Sequence, residues 1–177
     1  DGTLNLTYDG VILRGEGNCF SENDSTVLYG RNASEKAKRL ILMGNSSAHN
    51  WGNGKGNNQV NITTRKVMPG DYSFQVTDAS TYQIGDLICI KYPTTTEWLE
   101  AVWYGGNTKR NTDESMKWKI KDIDISYHRY VTNVEGNRIE VDAPVFYSLD
   151  QQYAQAYIYK IENSSTVRHN VGIEDLH

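Results

Sequence analysis

The sequence predicts an all-β protein of short strands, interrupted by a compact antiparallel β unit. Two observations predict this class. Apolar bursts of three to five residues, too short for helices, alternate with turn residues through the first third of the chain. From about residue 65 the pattern changes to strands in which apolar and polar residues alternate, with a Gly-Asn hairpin turn. The first pattern suits a sandwich or a solenoid whose coils stack in parallel, and the second suits a small antiparallel sheet.

The first stretch, residues 1–64, is where the short bursts lie. Several of them end at Gly or Asn, which are typical turn residues. The one helical pattern, at residues 34–39, is a single charged turn. The bursts are Leu4-Asn5-Leu6, Val11-Ile12-Leu13, Val27-Leu28-Tyr29, Leu40-Ile41-Leu42-Met43 and Val60-Asn61-Ile62.

The second stretch, residues 65–144, is predicted to be an inserted antiparallel β subdomain. Residues 73–76 alternate as a half-buried strand, and the continuous apolar run at 87–90 predicts a strand buried on both faces. A short helical turn is expected within 97–103. Residues 130–141 predict a hairpin.

The third stretch, residues 145–177, carries a strand at 156–161 and an apolar segment at 171–176 that begins another coil. A strand ending at His177 leaves an open sheet edge, which proteins normally cover. We therefore expect a continuation segment or a second chain to stack on this end, the alternative being a frayed tail. The chain opens at Asp1 rather than Met, which favours a processed product or a fragment.

Six motifs spread over all three stretches carry a family resemblance. They are Gly10–Gly17, Ser25–Leu28, Ser73–Ala79, Gly85–Ile88, Gly136–Pro144 and Asn170–Leu176. The first two resemble the early coils of secreted right-handed parallel β-helix proteins, the pectin-lyase-like superfamily. The next three resemble an element often inserted in such proteins, and the last is similar to the strand that resumes the solenoid.

The resemblance implies a right-handed parallel β-helix with an inserted antiparallel β subdomain, in a protein associated with a glycan or polysaccharide. The family consists mostly of polysaccharide lyases and glycoside hydrolases, and it includes adhesins and phage-tail proteins that only bind. Its catalytic groups usually sit on central coils, so we expect the active site of such an enzyme to lie mainly outside this segment. The alternative is a non-catalytic structural or adhesive extracellular glycoprotein, such as a filament or matrix component.

The composition excludes several functional classes. The 177 residues carry a formal net charge of −4, whereas a dedicated nucleic-acid binder presents a surplus of Lys and Arg. No stretch approaches the roughly 20 apolar residues that a membrane-spanning helix needs. With 23% charged and 11% aromatic residues, the chain belongs to the folded rather than the disordered class.

The asparagines and the cysteines bear on the compartment. The excess of glycosylation sequons favours a secreted or extracellular glycoprotein, and the alternative is a bacterial exported protein whose asparagines serve turns. The two cysteines, Cys19 and Cys89, either form one disulfide or are reduced and buried, with even odds. The sequons lie at Asn5, Asn23, Asn32, Asn45, Asn61 and Asn163.

The acidic candidates for glycan hydrolysis are Asp122 and Asp124, because that reaction needs two carboxyl groups about 5 to 9.5 Å apart. If both lie in a strand they share one face, about 7 Å apart. The same alternation also predicts a solvated face opposite Ile123 and Ile125, which is the favoured interpretation. For lyase chemistry, His128 and Arg129 supply a base and a group that neutralises a uronate, although neighbours in a strand point to opposite faces.

The sequence offers better candidate residues for sugar binding than for catalysis. Sugar rings stack on aromatic side chains, and Trp51, Trp118 and Tyr104 lie in or beside polar segments. Trp98 and Trp103 fall in an apolar run, which favours packing. No metal or cofactor site is predicted, and Ca²⁺ held by Asp and Asn oxygens is the one alternative left open.

Overall fold

The computed structural model describes residues 3–17, 25–30, 40–44, 57–105, 117–162, 164 and 167–176. They belong to two compact units, one comprising Asp1–Ala48 with Asn163–His177 and the other His49–Glu162. Within the described ranges the chain forms strands and one α-helix, α1 (Thr96–Ala101). The strands are β1 (Leu4–Leu6), β2 (Ile12–Arg14), β3 (Ile41–Met43), β4 (Asn57–Asn61), β5 (Lys66–Val67), β6 (Ser73–Gln75), β7 (Leu87–Tyr92), β8 (Ile125–Glu135), β9 (Arg138–Val141), β10 (Leu149–Asp150), β11 (Tyr157–Lys160) and β12 (Gly172–Glu174). The prediction of an all-β protein is confirmed.

The first unit pairs its strands in parallel. β1 pairs with β3, β2 pairs with β12, and Thr26 forms a parallel bridge with Leu176. Gly15 follows β2 and donates its N–H to the Glu174 carbonyl at 3.0 Å. A Cβ at Gly15 would overlap the backbone at Asp175, so this close approach requires glycine.

In the second unit, six strands form one antiparallel sheet in the order β4-β11-β7-β8-β9-β6. The sheet curls until its edge strands meet, because Ile62 after β4 bridges Val76 after β6. Two backbone hydrogen bonds fasten this seam, from Thr63 N–H to Gln75 at 2.8 Å and from Thr77 N–H to Asn61 at 2.9 Å.

The core of the second unit lies inside the curled sheet. β7 has the sequence LICIKY and is buried along its whole length, which confirms the predicted strand with two buried faces. Ile88, Ile90 and Tyr92 join the core cluster. The predicted hairpin is β8 and β9, and its turn contains Gly136 at a φ of 57°.

Two predictions about organisation differ from the structure. The unit spans His49–Glu162 rather than 65–144, because β4 and β11 complete its sheet. Parallel pairing in the described ranges is limited to two strand pairs and one bridge, and the large sheet is antiparallel throughout. A solenoid of several stacked coils is therefore not seen in the described residues. No helix in this part of the chain is long and apolar enough to cross a membrane.

Candidate functional site

The candidate site is built on α1, which the sequence positions through its cap. Thr95 is the N-cap residue, and its hydroxyl accepts a hydrogen bond from Trp98 N–H at 3.1 Å. The same hydroxyl donates to the Tyr153 carbonyl and so ties the helix start to the loop after β10. The helix buries Trp98 and Leu99 and thereby anchors its short length in the core.

Trp98 organises an aromatic cluster around itself. Its indole N–H donates to the Tyr147 hydroxyl at 3.1 Å, and the two ring centroids lie 6.4 Å apart. Tyr147 in turn lies 6.0 Å from Tyr92, whose pKa is raised by burial to about 12. Trp118 stacks on Trp98 with centroids 6.3 Å apart and planes only 8° from parallel. The cluster gives the surface above it a rigid support.

Directly after α1 the backbone turns through three left-handed residues. Trp103, Tyr104 and Gly105 have φ angles of 57°, 56° and 82°. For non-glycine residues this conformation costs roughly 1–2 kcal/mol each, so the surroundings must hold it. Gly105 N–H donates to the Val102 carbonyl at 3.2 Å, and Trp118 N–H donates to the Tyr104 carbonyl at 3.3 Å.

The result is an aromatic surface formed by Trp103, Tyr104 and Trp118. Trp103 is 58% exposed, and the other two are half-buried. Gly105 lies so close to the Trp118 indole that a Cβ there would overlap the ring. Lys117 places its ammonium 6.0 Å from the centre of the Tyr104 ring. The aromatic surface therefore offers flat apolar rings beside hydrogen-bonding groups, the combination that recognises a sugar ring.

The structure brings two of the predicted sugar-binding residues together, Tyr104 and Trp118, while Trp51 lies outside the described residues. Trp118 is more a support than a platform, because Trp98 and Gly105 both pack on it. Of the three rings in the aromatic surface, the most exposed belongs to Trp103, for which the sequence favoured packing. Its place between a short helix and a Gly-Gly pair is the signal that points to a turn instead.

Asp122 and Asp124 do not lie in a strand, because β8 begins only at Ile125. Asp122 is exposed in a turn, where its carboxylate accepts the Lys119 N–H at 2.9 Å. Asp124 accepts the Thr94 N–H at 2.9 Å and pairs with the Lys91 ammonium at 3.0 Å. Burial alone would raise the pKa of Asp124, but these two contacts outweigh it and hold the pKa below its ordinary value.

The basic candidates are built into the sheet. His128 lies opposite Cys89 in the pairing of β7 with β8. The Arg129 guanidinium donates to three backbone carbonyls, those of His128 at 2.7 Å, Ala143 at 2.9 Å and Pro144 at 2.6 Å. Its carbon also lies 4.9 Å from the Tyr127 ring centre. These contacts assign Arg129 to holding the loop after β9.

The remaining predicted sites are placed as follows. Cys89 is a free thiol buried in the sheet, where burial raises its pKa, and Cys19 lies outside the described residues. Asn5 and Asn61 are exposed, as sequon residues must be, whereas the other four sequons lie outside the described ranges. In the described residues no three His, Cys, Asp or Glu side chains form a group that could hold a metal ion.

Comparison with known proteins found no matching family model and no matching curated protein. It found three solved structures, all bacteriophage tailspikes. The phi297 tailspike gp61 of Pseudomonas phage shares 8% identity at a TM-score of 0.40 and covers 99% of this chain. The gp54 tailspike of Acinetobacter baumannii bacteriophage AP22, solved with A. baumannii capsular saccharide, shares 13% at a TM-score of 0.42 and also covers 99%. The gp49 tailspike of Pseudomonas phage LKA1 shares 14% at 0.38 and covers 97%.

The three matches cover 21%, 26% and 22% of the tailspike chains. This chain therefore spans between a fifth and about a quarter of the length of those proteins. At TM-scores below 0.5 the similarity does not establish a shared fold.

Proposed function

We propose that this chain binds a glycan on the aromatic surface formed by Trp103, Tyr104 and Trp118. The observation that carries the proposal is the exposure of Trp103 on a left-handed backbone. An exposed Trp gains little of the free energy that burial would supply, and two left-handed aromatic residues add roughly 2–4 kcal/mol of backbone cost. A backbone cost that is not repaid by burial of the Trp103 side chain is explained when a ligand uses that side chain.

A sugar is the ligand that best fits the chemistry of the aromatic surface. The C–H face of a pyranose stacks on an indole, and its hydroxyls take hydrogen bonds from neighbouring polar groups. The Lys117 ammonium lies 6.0 Å from the centre of the Tyr104 ring, beside the aromatic surface. Stacking on Trp98 fixes the Trp118 ring in advance, so this ring loses little conformational entropy on binding.

For the whole protein, we infer a secreted glycan-associated β-helix protein, as the sequence motifs imply. Cleavage of the glycan, by a lyase or hydrolase activity, is assigned to residues outside this segment. Asp124 and Arg129 support that assignment, since the first is committed to Lys91 and the second to backbone carbonyls. A non-catalytic adhesive role is the second candidate. In that role the whole protein would bind the glycan without cleaving it.

The proposal is tested with a panel of six polysaccharides, namely polygalacturonate, alginate, hyaluronan, xylan, dextran and a bacterial capsular polysaccharide. Affinity electrophoresis measures binding, and release of reducing ends or of unsaturated uronate measures cleavage. We expect retention by at least one polysaccharide without cleavage, and loss of retention in Trp103→Ala. The control is Ile84→Ala, which removes an apolar side chain that is 68% exposed and lies outside the aromatic surface. No retention by any polysaccharide would contradict the proposal.

A further inference from the structure

Phe146 forms another exposed ring on the same unit, on the loop between β9 and β10. It is 57% exposed, and its ring centroid lies 4.3 Å from that of buried Tyr127. Arg129 packs on Tyr127 in turn, 4.9 Å from the ring centre. Phe146 thus ends a packed series of Arg129, Tyr127 and Phe146 that leads from the sheet to solvent.

The loop that carries Phe146 is fixed on both sides. Val145 is fully buried, its N–H donates to Asp71 at 2.8 Å, and its carbonyl accepts Gly70 N–H at 2.8 Å. The preceding residues are held by the Arg129 guanidinium, which bonds the Ala143 and Pro144 carbonyls. On this anchored backbone Val145 is buried, whereas the next residue, Phe146, is exposed. The contact with Tyr127 orients the Phe146 ring, which presents an apolar face to solvent.

Phe146 is also connected to the aromatic surface. Its neighbour Tyr147 accepts the indole N–H of Trp98, on which Trp118 stacks. Tyr127, which Phe146 contacts, and Trp98 belong to one core cluster, and Tyr104 packs against the same cluster. Two rigid rings supported by one cluster suit a ligand that repeats along its length, as a polysaccharide does.

We propose that Phe146 is a second glycan-binding subsite. Its ring stacks on a further pyranose ring of the glycan that the aromatic surface binds. The proposal rests on the proposed function, because it takes the glycan as the ligand. Stacking on one flat ring needs only a C–H face, so the subsite adds affinity rather than a new hydrogen-bond pattern. An aromatic contact of this kind corresponds to roughly three- to tenfold in affinity.

The test compares Phe146→Ala, Phe146→Leu and Phe146→Trp with wild type. The probes are the panel polysaccharide that wild type retains most strongly, together with its disaccharide and decasaccharide. We expect the Ala and Leu variants to bind the decasaccharide and polymer about three- to tenfold more weakly. The Trp variant should bind like wild type, and none of the three should change the affinity for the disaccharide. Because Leu keeps the apolar volume, its loss of affinity separates stacking from folding.

The outcomes distinguish the two proposals. If Trp103→Ala loses binding while Phe146→Ala and Phe146→Leu bind the polymer as wild type does, the second subsite is overturned and the proposed function stands. If both Trp103→Ala and Phe146→Ala bind as wild type does, both proposals are overturned. If wild type binds none of the six polysaccharides, the proposed function fails and the subsite fails with it. A loss in Phe146→Ala that Ile84→Ala shares would also overturn the subsite.

Discussion

Substitution of Asp124 by Asn tests whether this carboxylate stabilises the fold or is available as a catalytic group. The change keeps the size of the side chain and its acceptor for the Thr94 N–H, but it removes the negative charge 3.0 Å from the Lys91 ammonium. Lys91 is only 8% exposed, so its charge depends on partners inside the protein. Removing one member of such a buried pair costs about 3–5 kcal/mol in general, and Asp124 is partly solvated. We therefore expect Asp124→Asn to lower the free energy of unfolding by about 2–3 kcal/mol.

Urea denaturation followed by tryptophan fluorescence measures this loss, and the chain offers matched controls. Asp122→Asn removes a carboxylate from an exposed turn two residues away and should cost less than about 1 kcal/mol. The double variant Lys91→Met with Asp124→Asn should regain most of the loss, because it removes both charges of this ion pair. Equal stability of Asp124→Asn and wild type would refute the reasoning.

The same pair makes stability depend on pH. The pKa of Asp124 lies below its ordinary value of 3.8 in the folded protein, so the carboxylate stabilises the fold above that pH. This contribution is lost as the pH falls through the folded-state pKa. The difference in stability between wild type and Asp124→Asn should therefore be constant from about pH 5 to 8 and shrink below about pH 4. A difference that grew on acidification would contradict this sign.

Two further pairs of substitutions test the support of the aromatic surface and the loop after β9. Gly105→Ala should lower the free energy of unfolding by about 2–4 kcal/mol, because the added Cβ overlaps the Trp118 indole at a φ of 82°. Gly136→Ala, at a φ of 57° with open space around it, should lower it by about 1 kcal/mol. Arg129→Met should cost about 2–3 kcal/mol since three carbonyls lose their donor, and Arg138→Met on the exposed surface should cost under about 0.5 kcal/mol. Urea midpoints measure all four, and equal losses within either pair would contradict the corresponding contact.

The strands of the second unit were predictable where their signal is local. The apolar run of β7 and the turn residues between β8 and β9 are enough to predict that strand and that hairpin. The seam between Ile62 and Val76 has no such signal, because it depends on how far five intervening strand pairs curl the sheet. For the same reason the sequence placed the start of the unit at 65 rather than 49.

The candidate site was predictable in residue type but not in exposure. Tyr104 and Trp118 follow from aromatic rings beside polar segments. Trp103 does not, because its outward position is set by the sign of φ at consecutive residues, which apolar periodicity does not encode. Asp122 and Asp124 could not be placed correctly from the sequence, because the alternation of polar and apolar residues continues past the start of the strand into a turn. In that turn the Asp122 carboxylate accepts the Lys119 N–H.

The most direct test of the glycan-binding claim is Trp103→Gly, measured for both stability and binding. Glycine adopts a φ of 57° without strain, so the variant should unfold at the same urea concentration as wild type or gain up to about 1 kcal/mol. Isothermal titration with the polysaccharide that wild type retains should show at least a tenfold loss of affinity. Wild-type affinity in this stably folded variant would contradict the claim that the aromatic surface binds the glycan.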